Sequence, residues 1–198
     1  MSQLSLFSAE AAGASVTDLA GLLCGPGQIA RFGTGETARL SIVLPDSERA
    51  CAVRRAGREV GVELTVTSTE AGTTAVRTAF RRDLVDLAVE WTRGAMKAVP
   101  AGMQLDGAVL RMWALAVGRP DERGGHLLAL DTHAPQTHLP LVAALTRLGL
   151  PPARVGRGAG LRISGVRRMQ RLVELVGPPP PGLDPAAWPR CWGRFTGS

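Results

Sequence analysis

Asp18-Leu19-Ala20-Gly21-Leu22-Leu23-Cys24-Gly25-Pro26-Gly27 is an apolar stretch that ends on Gly-Pro-Gly, a helix stop. It predicts a short helix over Val16 to Cys24. Beyond it, Arg39-Leu40-Ser41-Ile42-Val43-Leu44 alternates as a half-buried strand. Pro45-Asp46 then opens a helix that runs to Gly61, followed by a strand from Val62 to Thr67. Val76-Arg77-Thr78 is a strand that leads into an amphipathic helix, Arg82 to Ala88. The second half repeats the order. A helix from Val109 to Val117 closes on Gly118-Arg119-Pro120, Leu127 to Asp131 is a strand, and Ala134-Pro135 opens a helix that stops at Gly149. Ala153 to Val155 begins the next strand, and Leu161-Arg162-Ile163 leads into the helix Arg167 to Val173. Gly61 and Gly149 stand where a helix C-cap takes positive φ. One unit alone would leave a sheet face bare, whereas two in one chain can pack their first helices together. The expected fold is α+β, an αββαββα unit written twice as a pseudo-twofold monomer. The repeats are expected at 15–96 and 106–177, with a linker at 97–105, a tail at 1–14 and a Pro-rich, Trp-containing tail at 178–198.

The 198 residues suffice for a substantial core, and 45% hydrophobic with 20% charged residues is a globular composition. No apolar run approaches the roughly 18 residues of a membrane span. The first ten residues lack the basic and apolar regions of a signal peptide, so the expected location is cytoplasmic and nucleoid-associated, without membrane contact. Cys24, Cys51 and Cys191 show no CxxC spacing and are expected to be apolar filler. All but one of the 23 basic residues are Arg, Lys97 being the exception. Between Thr132 and Val173 there is no Asp or Glu, while Arg147, Arg154, Arg157, Arg162, Arg167, Arg168 and Arg171 fall there. Such a block of one sign favours a polyanionic partner. His126, His133 and His138 match no metal or acid-base spacing and are expected at the surface or at strand ends; no Gly-rich phosphate loop is present.

The segment Asp18 to Gly27, at the front of this unit, resembles the signature helix of the LAGLIDADG homing endonucleases, and the element order resembles that family's whole unit over residues 15 to 177. The resemblance implies a saddle of two paired sheets over duplex DNA, with the signature helices packed through small residues. The second helix, Leu110 to Gly118, is more degenerate. Its Leu-Arg start looks like that of the WhiA regulators, whose LAGLIDADG-like domain does not cut DNA, and Met112 stands where the family often has glycine. In the nucleases an acidic residue before the last glycine of each helix holds a divalent metal; here those places carry Pro26 and Val117, which offer no side-chain oxygen ligand. Asp121 and Glu122 follow the second helix, without an acidic counterpart after the first. The resemblance therefore implies DNA binding without catalysis, and neither a metal nor another cofactor is expected. By strand alternation, Arg39, Arg77, Arg154 and Arg162 are the expected DNA contacts, with Arg157 and Arg167 from the basic block.

Gln3-Leu4-Ser5-Leu6-Phe7 resembles the pentapeptide with which bacterial replication and repair proteins bind the sliding clamp, the beta subunit of DNA polymerase III. In a tail, Leu6 and Phe7 can enter an apolar pocket while Gln3 anchors the rim. At the other end, Gly177-Pro178-Pro179-Pro180-Pro181-Gly182 reads as a stiff spacer before Trp188, Trp192 and Phe195, which either meet a partner or pack back on the domain. The expected function is a non-catalytic DNA-binding accessory protein of replication or repair, recruited by the clamp. The alternatives are a WhiA-like transcriptional regulator and a residual endonuclease.

Overall fold

A computed structural model describes residues 13–68, 73–156 and 159–191. Ser15 and Asp18 form a reciprocal cap on a 3-10 turn, Val16–Leu19, which runs on into helix α1, Ala20–Cys24. Then follow β1 (Gln28–Phe32), β2 (Thr37–Leu44), α2 (Ser47–Glu59), β3 (Leu64–Ser68), β4 (Thr74–Thr78) and α3 (Val85–Trp91). A small hairpin of β5 (Thr92–Arg93) and β6 (Met96–Lys97) leads to the second set: α4 (Gly107–Val117), β7 (Gly118–Asp121), β8 (Gly125–Ala129), α5 (His138–Arg147), β9 (Ala153–Val155), β10 (Gly160–Ser164) and α6 (Val166–Val176). The two antiparallel sheets have the orders β1-β2-β4-β3 and β7-β8-β10-β9, one topology written twice. Gly61 and Gly149 have φ of 75° and 85°, as the C-caps require.

Alternation turns Ile29, Leu40, Ile42, Leu44, Leu64 and Val76 of the first sheet into the core, and Leu128, Leu161 and Ile163 of the second. The sheets meet through α1 and α4. A Cβ on Gly21 would lie 2.2 Å from the Val109 carbonyl oxygen and 2.7 Å from the Trp113 nitrogen. One glycine is therefore enough for close approach: the Met112 side chain is buried beside it.

The C-terminal segment is not a free spacer over its described length. Arg111 of α4 donates to the Val176 and Pro178 carbonyls, Arg55 of α2 donates to the Pro181 carbonyl, and the Asp184 N–H donates to Glu48 of α2. Trp188 is buried, its indole N–H donates to the Gly177 carbonyl at 2.9 Å, and the Arg111 guanidinium lies 5.2 Å from its ring centroid. This strap ties α2 of the first repeat to α4 of the second. Trp192 and Phe195 lie outside the described residues. Among the described residues no helix is long and apolar enough to cross a membrane.

Candidate nucleic-acid interface

Each sheet buries one face and leaves the other open. Cross-strand register places Gln28, Ser41, Arg77 and Thr65 in one row on the open face of the first sheet, with Ala30 beside Arg39. The equivalent row of the second sheet is Arg119, Leu127, Arg162 and Ala153. The four strands of the first sheet contain no Asp or Glu; those of the second contain Asp121 alone. Arg39, Arg77 and Arg119 are exposed and make no ion pair among the described residues. Arg162 lies 3.5 Å from Asp121, which puts that carboxylate on the open face but beside a guanidinium. Such arrays of arginine on an exposed sheet suit a polyphosphate backbone.

The expected contacts separate in space. Arg39, Arg77 and Arg162 share the open faces, whereas Arg154 pairs with Leu161 and so is directed to the opposite side of edge strand β9. Arg167 is exposed on α6, in the helix layer. Arg157 and the pentapeptide Gln3, Leu4, Ser5, Leu6 and Phe7 lie outside the described residues. Sequence reasoning overlooked Arg119, because the Gly118-Arg119-Pro120 stop hides a strand that starts at once.

The carboxyl ends of α1 and α4 carry the second notable geometry. The Lys97 ammonium, 7% exposed, donates to the Gly25 carbonyl at 2.5 Å, the Gly27 carbonyl at 2.8 Å and Asp131 at 3.1 Å, so it straddles Pro26. Asp131, 2% exposed, also accepts from the Gln28 amide at 2.6 Å and the His133 N–H at 2.9 Å. Burial alone would raise the Asp131 carboxyl, but the Lys97 ammonium and these donors outweigh it and hold it below the usual carboxylate range. Burial lowers Lys97, with Asp131 acting against that. At α4 the pattern recurs. Arg49 of α2 is buried and donates to the Leu115 carbonyl at 2.8 Å and the Gly118 carbonyl at 2.5 Å, straddling Val117. Each cation sits at the negative end of a helix dipole and satisfies carbonyls at or just beyond the helix end.

These residues do not fit a divalent cation. Pro26 and Val117 offer no side-chain oxygen, the depression between the helix ends is lined by Pro26, Val43, Pro45, Val117 and Ala129 without a carboxylate, and Lys97 and Arg49 would repel an added positive charge. Among the described residues no three His, Cys, Asp or Glu side chains converge on a point a metal could occupy. The histidines are not a surface set. His133 is exposed, but His126 and His138 are buried, His138 Nε2 lies 2.8 Å from the Asp131 carbonyl, and burial, aided by the charge of Arg49, pushes the His126 imidazole down to about 3. Of the cysteines, Cys24 is core, as expected of apolar filler, but Cys51 and Cys191 are exposed.

Two four-stranded sheets of one topology, joined by paired helices, define a two-repeat LAGLIDADG-like fold. The chain is similar to the homing endonuclease I-WcaI bound to its DNA recognition sequence, with TM-score 0.57 and 14% identity over 89% of this chain and 83% of the other. It is also similar to the N-terminal LAGLIDADG domain of WhiA, with TM-score 0.54 and 11% identity over 81% of each. No protein-family model and no curated protein matches the sequence.

Proposed function

We propose that this chain binds DNA on the open faces of its two sheets and does not cut it, and that it serves replication or repair through recruitment by the sliding clamp. The observation that carries the reading is the set of arginines on the open faces, Arg39 and Arg77 on one sheet and Arg119 and Arg162 on the other, with Arg77 and Arg162 at equivalent positions, on strands almost free of carboxylates. The likeness to an endonuclease solved with its recognition DNA supports the use of this fold on duplex DNA. Cleavage is set aside because Lys97 and Arg49 fill the ends of the two helices where the family resemblance would put metal ligands. The clamp arm rests on Gln3 to Phe7 in the sequence. The likeness to the WhiA domain supports a second reading, a transcriptional regulator, which would not depend on Leu6 and Phe7.

The test is to incubate the protein with linear and supercoiled DNA at low salt, with and without magnesium or manganese. The reading expects retarded but intact DNA in every lane. Metal-dependent nicking that copurifies with the protein and is lost with Asp121→Ala would overturn the non-catalytic part, and no retardation would overturn DNA binding.

A further inference from the structure

We infer that Phe32, Phe80 and Arg39 form a stacking site for an unpaired nucleobase, so that the protein prefers DNA containing an unstacked nucleotide over fully paired duplex. The inference rests on the DNA-binding reading and narrows it to a class of substrate. Phe32 ends β1 and is 64% exposed; Phe80 follows β4 and is 41% exposed. Their ring centroids lie 4.8 Å apart at 39°, and the Arg39 guanidinium carbon lies 4.6 Å from the Phe80 centroid. Strand pairing brings the three together from separate parts of the chain. Phe32 pairs with Thr37, and the bridge between Ala38 and Arg81 sets Phe80 alongside Arg39 on the open face. The site is built before any ligand arrives.

Nothing in the repeat architecture requires these side chains. Counted from the equivalent pairs Ser41–Arg77 and Leu127–Arg162, the positions of Arg39 and Phe80 in the second sheet are Gly125 and Gly165. The second sheet keeps the same topology with no aromatic group there. Two adjacent phenylalanines left in water on one repeat only are therefore a surface waiting for a flat partner.

Charge selects which flat partner. The rings lie on the arginine-bearing face of a sheet whose strands contain no acid, and the nearby Asp83 is already paired with Arg81 at 2.6 Å. Glu36, in the turn between β1 and β2, disfavours phosphates on that side. A base stacked on the rings would thus direct its sugar-phosphate toward Arg39 and Arg77. Aromatic stacking together with a guanidinium is sequence-tolerant, since every base has a π face. A fully paired duplex keeps its bases stacked on one another and cannot use the site without unstacking one.

The experiment compares, at one salt concentration, anisotropy titrations of a fully paired duplex, the same duplex with one bulged nucleotide, and the single strand. The wild-type protein should bind the bulged duplex about tenfold or more tighter than the paired one. The double substitution Phe32→Ala with Phe80→Ala should erase that preference and leave paired-duplex affinity unchanged. Phe32→Leu with Phe80→Leu, which keeps apolar bulk, should erase it too. A 2-aminopurine placed at the bulge should change its fluorescence on binding wild type, as it leaves the base stack, and not on binding either variant. Equal wild-type affinity for paired and bulged duplex would overturn this inference alone and leave the rings to a protein or peptide partner. A preference that survives both double variants would do the same. No binding to any of the three DNAs would overturn the DNA-binding reading as well.

Discussion

Replacing Lys97 with Met removes the ammonium that joins three parts of the chain: the end of α1 through Gly25 and Gly27, the inter-repeat hairpin that carries Lys97, and the end of the β8 segment through Asp131. Asp131, 2% exposed in the wild type, would stay charged with the Gln28 amide and the His133 N–H left as its donors. Breaking a buried ion pair from one side costs about 3–5 kcal/mol, because the remaining charge is left in a poorly solvating environment. In a domain of this size that lowers Tm by about 6–20 °C. Asp131→Asn alone should also destabilise, but Lys97→Met with Asp131→Asn should lose at least about 2 kcal/mol less than the two single losses added together. Lys97→Arg should cost more than about 1 kcal/mol, since a planar fork cannot replace a compact ammonium among three oxygens within 3.1 Å. Urea unfolding followed by the fluorescence of buried Trp91, Trp113 and Trp188 reads all four variants. Losses below about 1 kcal/mol for Lys97→Met, or simple additivity in the double variant, would refute the reasoning.

Gly21→Ala should destabilise by about 3 kcal/mol or prevent folding, since its methyl would strike the α4 backbone; circular dichroism melting checks this. Lowering pH from 6.5 toward about 3 should reduce stability by up to about 1.4 kcal/mol per unit, because folded His126 stays neutral while the unfolded chain takes up a proton below 6.5. His126→Leu should flatten that part of a stability-against-pH curve. Leu6→Ala with Phe7→Ala should abolish micromolar binding to the clamp of the same organism in a titration, without loss of Tm or of DNA affinity; each fully buried side chain contributes roughly 1.5–3 kcal/mol to such a contact.

The repeat was legible in the sequence wherever alternation or capping was strong. The β2 strand, with Ala38, Leu40, Ile42 and Leu44 all inward, and helix α2, with Asp46 as its N-cap, are examples. Strand β1 gave no such pattern because only Ile29 of its five residues is buried, and β7 carries Gly118 and Pro120, which read as breakers though an edge strand tolerates them. The strap was hidden because a proline run says nothing of what it lies on; Arg55, Glu48 and Arg111, far away in sequence, hold it. Of the candidate interface, Arg39, Arg77 and Arg162 were readable from alternation, but the side of Arg154 depended on a register that no local pattern fixes. The cations at the helix ends left one clue, a single lysine in an arginine-rich chain, while the buried role of Arg49 had none.

The most direct test of the account is the slope of log affinity against log salt for duplex DNA, measured for wild type and for Arg77→Ala with Arg162→Ala. These two arginines occupy equivalent places on the two open faces. If each meets a phosphate, the double variant should bind more weakly at every sequence tried, and its slope should be shallower by about 2. An unchanged slope and affinity, with the fold intact, would contradict the claim that the open sheet faces bind DNA.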